Sequence, residues 1–586
     1  MNDFVYLDKL TARDAGKVAS LERASHARAV REGKKYFHDL LKFVDRTGWG
    51  LNLGLYAGSR LIGYVISHES ETSLMSELAG EYVVYVDDIV VHPKYKRYFG
   101  RLLGGYLQYL RTLYPTHAME ANGVESIAKL WERHSKYFQS YGYELNEIRP
   151  TGQTKLGVPQ YALRWLPLAP DHGHSAKRRR HTHRTRHTHH VDGHAYTVEA
   201  LTDENSWHEL IPYWNDLLLK TPEPTIFQTY EYQRIWWRHF GLSRSLLILV
   251  IRDGDDVIGI APLQINPVRY YGKYFRELGY IGVNWEVDRP KFLFGDRAAV
   301  CSTLTARFLK EHEHLWDLVR LYEQREDSYV LSSFRDEMHG YGYLTATTKD
   351  AVAPYLRTDT TWETFSKSLS ARMRKNLKAS RKKLGAMGQF NYVECKTYPD
   401  VLEKLEWYKQ IEQKSWKANA HVGPSKHGHY YRFFESLAGE LGRAGQFHIR
   451  FITLDDQPIA GTFGLEFNNT FYSLHIAHDH EYSKYSLGTL LESMELESCF
   501  AGNCQEYDFL GSFLNNKLRW TSTVRTSKEL HVYQKKWQLL LMFVVYHRIK
   551  PLIKKIVMTI LKDKVQVLVK YKEKMVRAAN RRPSAE

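Results

Sequence analysis

The sequence predicts a mixed α/β (α+β) protein, with several sheets flanked by helices and a basic helical tail. Three observations carry that expectation. Strand-like apolar runs alternate with helix-period segments through the first 168 residues, and again from Tyr196 onward. At 586 residues the chain exceeds one ordinary core, so three or four domain-sized units are expected. The net charge of +16 is unevenly placed: stretch 168–195 carries +4 and stretch 536–586 carries +10. The folded parts are therefore nearly neutral, and the basicity describes a linker and a tail.

The cysteines Cys301, Cys395, Cys499 and Cys504 show neither CxxC nor disulfide-dense spacing. A reducing, cytoplasmic setting is expected. The N-terminus, MNDFVYLDKLTARD, has no basic n-region followed by an apolar run, so no secretory signal is read there.

In residues 1–167, Phe4-Val5-Tyr6-Leu7 reads as a strand and Ala12 to Ala24 as a helix. The runs Leu51 to Ala57 and Leu61 to Ile66 pair across Gly58-Ser59 as a hairpin. Tyr82 to Val91 is a long apolar strand interrupted by Asp87 and Asp88, and it runs into HPKYKRYFGRLL at the start of a long helix. A helix N-terminus presents unpaired N–H donors and positive potential, which suits an anion. The segment resembles the GNAT acyltransferases through Val91-x-Pro93-x-Tyr95-Lys96 followed by Gly100-Arg101-x-Leu103. The resemblance implies that Val91, Lys96, Arg97, Gly100 and Arg101 wrap the pyrophosphate of acyl-CoA, the expected co-substrate. Asp88 is either a base or water-positioning residue, or simply an acid in an irregular strand. The family's usual proton-donating Tyr falls on Phe138, with Tyr137 one step away.

Stretch 168–195 has no apolar periodicity and reads as a disordered His/Arg-rich linker. Its eight histidines offer metal chelation no fixed geometry, so no metal is expected.

Residues 196–350 form the next unit. Phe227-Gln228 leads into a helix with Trp236, Trp237 and Phe240, followed by a buried hairpin turning at Gly254. Residues 351–535 open with the basic helix ARMRKNLKASRKKL, then strands from Phe390 and Phe447 onward. His475, His478 and His480 alternate about a strand end without a Cys or a fourth ligand at zinc spacing, so they are not read as a metal site. The stretch 485–520 is the centre of this unit: an aromatic turn, a helix opening at Ser486-Leu487-Gly488, a strand ending in Asp508, and a Gly turn carrying Lys517 and Trp520.

From 196 to 533 these patterns resemble the cellulose-biosynthesis type (CelD/BcsL) acetyltransferases, a double GNAT plan shared with Fem-type aminoacyltransferases. The resemblance implies acyl transfer from acyl-CoA to a sugar, lipid-linked or amine acceptor of the cell envelope or an exopolysaccharide. Tyr485, Ser486 and Gly488 are expected at the donor phosphates. Asp508 is expected to accept the nucleophile's proton, or else to cap the next turn. Lys517 would bind a substrate or donor anion. The Fem-like alternative uses aminoacyl-tRNA, and a non-catalytic membrane-associated scaffold remains open.

In the tail, 536–586, apolar residues from Ile549 to Leu568 share a helical face flanked by lysines. This reads as an amphipathic helix on an anionic membrane surface, making the chain peripheral at the cytoplasmic membrane, or as packing onto the protein. Aliphatic rather than aromatic interleaving argues against DNA.

Overall fold

The computed structural model describes residues 5–10, 14–25, 52–57, 60–70, 83–113, 117–155, 158–167, 185–241, 244–271, 273–282, 287–395, 397–415, 428–511 and 514–553. Stretches 168–184 and 554–586, which hold most of the linker and tail readings, lie outside them.

The N-terminal unit is a seven-stranded sheet: β1 (Val5–Lys9), β2 (Leu53–Ala57), β3 (Arg60–Ser70), β4 (Val83–Val91), β5 (Ala118–Val124), β6 (Tyr143–Lys155) and β7 (Val158–Pro167). Its order is β1-β2-β3-β4-β5-β7-β6. Neighbours run antiparallel except β4 and β5, which pair in parallel only from Val83 to Val86 against Ala118 to Ala121. Beyond that point β4 carries Asp88 to Val91 away from β5 and opens a wedge. Helix α1 (Ala15–Ser25) covers one face through Ala15, Val18 and Ala19. Helix α2 (Phe99–Leu113) packs on the other, because Leu102, Leu103, Tyr106, Leu107 and Leu110 recur at helical spacing and are all buried.

The remaining strands form one 13-stranded sheet. The first C-terminal unit supplies β8 (Thr185–Val191), β9 (His194–Leu201), β10 (Ser245–Asp253), β11 (Asp256–Tyr270), β12 (Lys273–Tyr280), β13 (Leu318–Gln324) and β14 (Leu344–Arg357). The second supplies β15 (Phe390–Cys395), β16 (Phe447–Leu454), β17 (Gln457–Phe467), β18 (Thr470–His478), β19 (Glu506–Asp508) and β20 (Val524–Tyr533). Each unit repeats the short parallel contact of the N-terminal sheet, β12 with β13 and β18 with β19.

The two units are joined by a reciprocal exchange of strands. In the N-terminal sheet, β7 inserts between β5 and β6. In the first C-terminal unit that place, between β13 and β14, is taken by β20; in the second, between β19 and β20, it is taken by β14. The expected boundary at 350 therefore falls inside β14, a strand that belongs to both units. Behind the sheet the cores merge as well. Phe227 and Tyr232 of the first unit meet Tyr472 and Phe433 of the second, with ring centroids 5.3 and 5.8 Å apart. Trp236 is buried in this shared core.

One expected stretch of linker is structured. Residues 185–191 are β8, the sheet's edge strand, paired along β9. Its alternation places His187 and His189 over helix α5, defined below as Ala298–Glu311: the His187 ring is 5.7 Å from Phe308 and 4.6 Å from His312. His189 lies 3.5 Å from Glu311, and burial lowers its pKa. With histidine at inward positions 187 and 189 and at outward position 190, the strand lacks a polar–apolar alternation and reads as low complexity.

The N-terminal unit leans on the next at helix α4 (Tyr230–Phe240), which follows α3 (Ile211–Leu219). Tyr109 of α2 donates to the His239 carbonyl at 2.8 Å. Helices α5 (Ala298–Glu311), α6 (Ala371–Gly385), α7 (Asp400–Gln413), α8 (Gly428–Arg443) and α9 (Leu487–Ala501) cover the large sheet, and α10 (Trp537–Val544) follows β20 and packs on Leu318 and Tyr533. Among the described residues no helix is long and apolar enough to cross a membrane.

Candidate functional site

Helix α9 starts where β18 parts from β19. Parallel pairing ends at Tyr472 with Asp508, while β18 continues alone on that side to His478. The helix is entered through Ser486, whose backbone is left-handed at φ 55°. Such a conformation in a non-glycine residue marks a constrained turn. No side chain caps the helix and no acid occupies its first turn, so the N–H groups of Leu487, Gly488 and Thr489 are left for an outside acceptor. The flanking charges are cationic. Arg519 donates to the Thr489 hydroxyl at 3.0 Å, and Lys484 stands 5.1 Å over the Tyr485 ring. A cation beside a helix N-terminus opposes the helix dipole unless an anion joins them. Helix α6 packs along α9, its end meeting the start of α9 through Leu384, and it carries exposed Arg372, Lys375, Lys378, Lys382 and Lys383.

Tyr485, Ser486 and Gly488 thus lie together at this helix mouth. Gly488 leaves ordinary clearance to β18, its Cβ position being 3.7 Å from His478 Nδ1. Asp508 makes the contact with the next turn that the sequence reading set beside a proton-accepting role. It is fully buried (0% exposed), with one oxygen 2.5 Å from Arg289 and the other accepting the Leu510 N–H at 2.8 Å. Arg525 approaches to 3.7 Å. Burial works against the Arg289 cation, but Asp508 outweighs it and raises the Arg289 pKa. The carboxylate is thereby tied to the loop 287–291 through Arg289 and to the next turn through the Leu510 N–H.

Lys517 donates to the Leu510 carbonyl at 3.1 Å. Burial lowers its pKa, and the carboxylates of Asp288, Glu492 and Asp508 pull the other way. Those partners come from both units, so the loop 287–291 of the first unit completes the site of the second. Glu492, one and a half turns into α9, is the group sequence reasoning missed. It accepts the Trp520 indole N–H at 2.5 Å, and burial pushes its carboxyl up to about 7. A carboxyl poised at neutrality beside a cation is suited to general-base work. The available signal was Trp520 itself, a buried indole that needs an acceptor.

Backbone strain gathers around the same loop. Glu223, Arg289, Glu323 and Leu510 all have positive φ, between 50° and 58°. Glu323 accepts the Arg289 N–H at 2.6 Å, and burial followed by the Asp288 charge pushes its carboxyl up to about 8. Lys291 donates to the Pro222 and Glu223 carbonyls at 2.7 and 2.6 Å, and burial brings it down to about 7. Farther back, α9 is fixed to the sheet by a buried ion pair: Arg450 reaches Glu495 at 3.0 Å and Glu394 at 2.7 Å.

The N-terminal unit gathers its own expected residues. Val91 ends β4, and Lys96, Arg97, Gly100 and Arg101 cluster at the start of α2, preceded by a 3-10 turn, Pro93–Tyr98. Burial, then the charges of Arg60 and Lys94, hold the His92 pKa low. Asp88 is three residues before Val91 and accepts the Tyr64 hydroxyl at 2.7 Å. Phe138 is core, stacked 5.0 Å from Trp165, while Tyr137 donates to the Gly100 carbonyl at 2.7 Å. A Cβ at Gly104 would collide with the Tyr141 and Tyr137 hydroxyls, which is why that helix position is bare. Among the described residues no group of three or more His, Cys, Asp or Glu is arranged to hold a metal.

Residues 371–517, the span from the start of α6 to Lys517, match the family model described as Acetyltransferase (GNAT) domain. The match takes in about a quarter of the chain and falls within the second C-terminal unit. A comparison with curated protein sequences finds no match. Among solved structures, FemX is 10% identical, covering 60% of this chain and 100% of its own, with a TM-score of 0.41. A tandem GNAT protein from the clavulanic acid biosynthesis pathway is 13% identical, covering 58% and 99%, with a TM-score of 0.34. L-PGS from Bacillus licheniformis is 12% identical, covering 53% and 90%, with a TM-score of 0.33.

Proposed function

We propose that the chain is an acyltransferase of the CelD/BcsL kind, moving an N- or O-acetyl group from acyl-CoA to a sugar, lipid-linked or amine acceptor of the cell envelope or an exopolysaccharide. The observation that carries this reading is the grouping of an uncapped, cation-flanked helix mouth with Glu492 and Lys517. The fit to acyl-CoA is chemical: its phosphates suit the Leu487, Gly488 and Thr489 N–H groups with Lys484 and Arg519. Bound there, the donor supplies an activated acyl thioester. The open edge of β18 offers backbone groups to orient it. Glu492 takes the proton of the attacking hydroxyl or amine, Lys517 steadies an acceptor or donor anion, and Asp508 holds Arg289 and its loop in place.

The N-terminal unit keeps a cationic helix mouth suited to a second donor, with Phe138 where a proton-donating tyrosine would stand. We place acyl chemistry in the C-terminal unit and leave donor binding as the role of Lys96, Arg97, Gly100 and Arg101. The exposed basic face of α6 favours one alternative, a Fem-like aminoacyl-tRNA donor; binding to that polyanion would fall steeply with salt. The basic tail supports a peripheral position at the inner face of the cytoplasmic membrane.

The test is mass spectrometry of acceptor pools incubated with the full chain and acetyl-CoA, alongside release of the free thiol. Thiol release that depends on an added envelope sugar or amine is expected. Transfer from aminoacyl-tRNA with no thioester consumption would replace this reading with the Fem-like one.

A further inference from the structure

Helix α10 buries only one of its faces. Leu539 and Met542 pack on Leu318 and Tyr533, while Trp537 (67% exposed), Leu540, Leu541 (52%) and Val544 look outward. Helical backbone continues to Ile553 and adds exposed Ile549, Leu552 and Ile553. A run of exposed apolar side chains on one helix marks an interaction face. The hairpin tip between β11 and β12 extends it. Tyr271 there is 66% exposed on a left-handed backbone (φ 49°), and Lys273 stands 5.1 Å over the Trp537 ring.

The rim of the patch is basic. From Lys535 to Ile553 the chain has no acid, and it carries Lys535, Lys536, Arg548 and Lys550. At the start of α10 lies a cavity of about 300 Å³ whose walls include Lys310, Lys535, Lys536, Tyr343 and Glu313. Glu313 accepts from the Tyr343 hydroxyl at 2.8 Å and from Lys310 at 3.1 Å, and Lys536 pairs with Asp317 at 2.5 Å. Gly342 leaves room for the third lysine; a Cβ there would stand 3.1 Å from Lys535 Nζ. The uncapped N-terminus of α10 opens beside this cavity.

We propose that this face docks on a bilayer of anionic phospholipid: the cavity receives a phosphate-bearing headgroup while the outward side of α10 and Tyr271 enter the boundary between headgroups and acyl chains. Trp, Tyr and Lys are the side chains that settle at that depth, where one end is apolar and the other wet. Charge selects this occupant over a second copy of the chain, because a like face would bring lysine against lysine. The inference extends the membrane position proposed above. It rests on α10, the hairpin tip and the cavity rather than on 554–586, and it holds whether or not the chain transfers acyl groups.

The experiment is co-sedimentation of the full chain with neutral phosphatidylcholine vesicles and with vesicles holding about a third phosphatidylglycerol, without acyl donor, so that docking and acyl transfer are separate results. Binding to the anionic vesicles alone is expected, weakening with salt. The pairs Lys310→Glu with Lys535→Glu, and Trp537→Ser with Leu541→Ser, should each weaken it roughly tenfold or more. Unchanged melting temperatures would show that these surface variants fold. Wild-type binding by both variants would assign docking to 554–586 and overturn the proposal. Equal binding to neutral vesicles would overturn it too, as would a dimer in size-exclusion chromatography that Leu541→Ser dissolves without any change in vesicle binding.

Discussion

Replacing Glu492 by Gln tests the catalytic assignment at a single atom. Gln keeps the shape and an oxygen to accept the Trp520 indole N–H, but it cannot take a proton. Loss of a positioned general base lowers turnover by roughly 10²–10⁴-fold. Because burial places this carboxyl near 7, the wild-type rate rises with pH below about 7 and levels above it. The variant should lack that rising limb. Stability supplies an independent reading. The folded carboxyl titrates near 7 against an ordinary 4.5, so the folded state holds the extra proton between those values. Wild-type stability is therefore full below about 4.5 and falls as pH rises through 7, by roughly 3 kcal/mol. Glu492→Gln has no such loss, so its melting temperature should climb relative to wild type between pH 5 and pH 8. Turnover is measured as thiol release and melting by calorimetry across the same buffers. A variant with wild-type turnover, or a melting difference that ignores pH, would refute the assignment.

Other substitutions separate structure from chemistry. Asp508→Asn leaves Arg289 buried without its counterion, which costs roughly 3–5 kcal/mol; turnover should drop while the pH profile keeps its limb near 7, and loss of the limb would make Asp508 the base. Lys517→Met should raise KM by about 10–100-fold, the worth of one charge-assisted hydrogen bond, with a smaller change in kcat; an unchanged KM argues against anion binding there. Arg450→Met strands Glu495 in the core and should lower stability by roughly 3–5 kcal/mol, read as a fall in melting temperature. Phe138→Ala should cost roughly 3–5 kcal/mol in the N-terminal unit while leaving C-terminal turnover intact, and a parallel loss of turnover would place chemistry in the N-terminal unit.

Much of this architecture was written locally. The hairpins at Gly254 and Asp455-Asp456, the helix mouth at Ser486 to Gly488 and the basic run of α6 follow from turn chemistry and periodicity, which act over a few residues. The parts that escaped are the long-range ones. The exchange of β14 and β20 depends on pairing Leu344 to Pro354 with Val524 to Tyr533, and nothing in either strand names its partner. The pairing of Asp508 with Arg289 was not legible because Arg289 lies 219 residues earlier. Glu492 was not singled out, because the indole that bonds it, Trp520, lies 28 residues onward. The edge strand β8 was hidden by composition: histidine stands on both of its faces, so no polar–apolar alternation marks it.

The central claim is that acyl-CoA is held at the mouth of α9. Calorimetric titration of acetyl-CoA into the full chain tests it, comparing wild type with Lys484→Glu/Arg519→Glu and with Lys96→Glu/Arg97→Glu. The account predicts that thiol-releasing turnover disappears with the first pair, together with a binding heat, while the second pair keeps its turnover. Full acetyl-CoA binding and turnover in Lys484→Glu/Arg519→Glu, with both lost in Lys96→Glu/Arg97→Glu, would put the reaction in the N-terminal unit and contradict it.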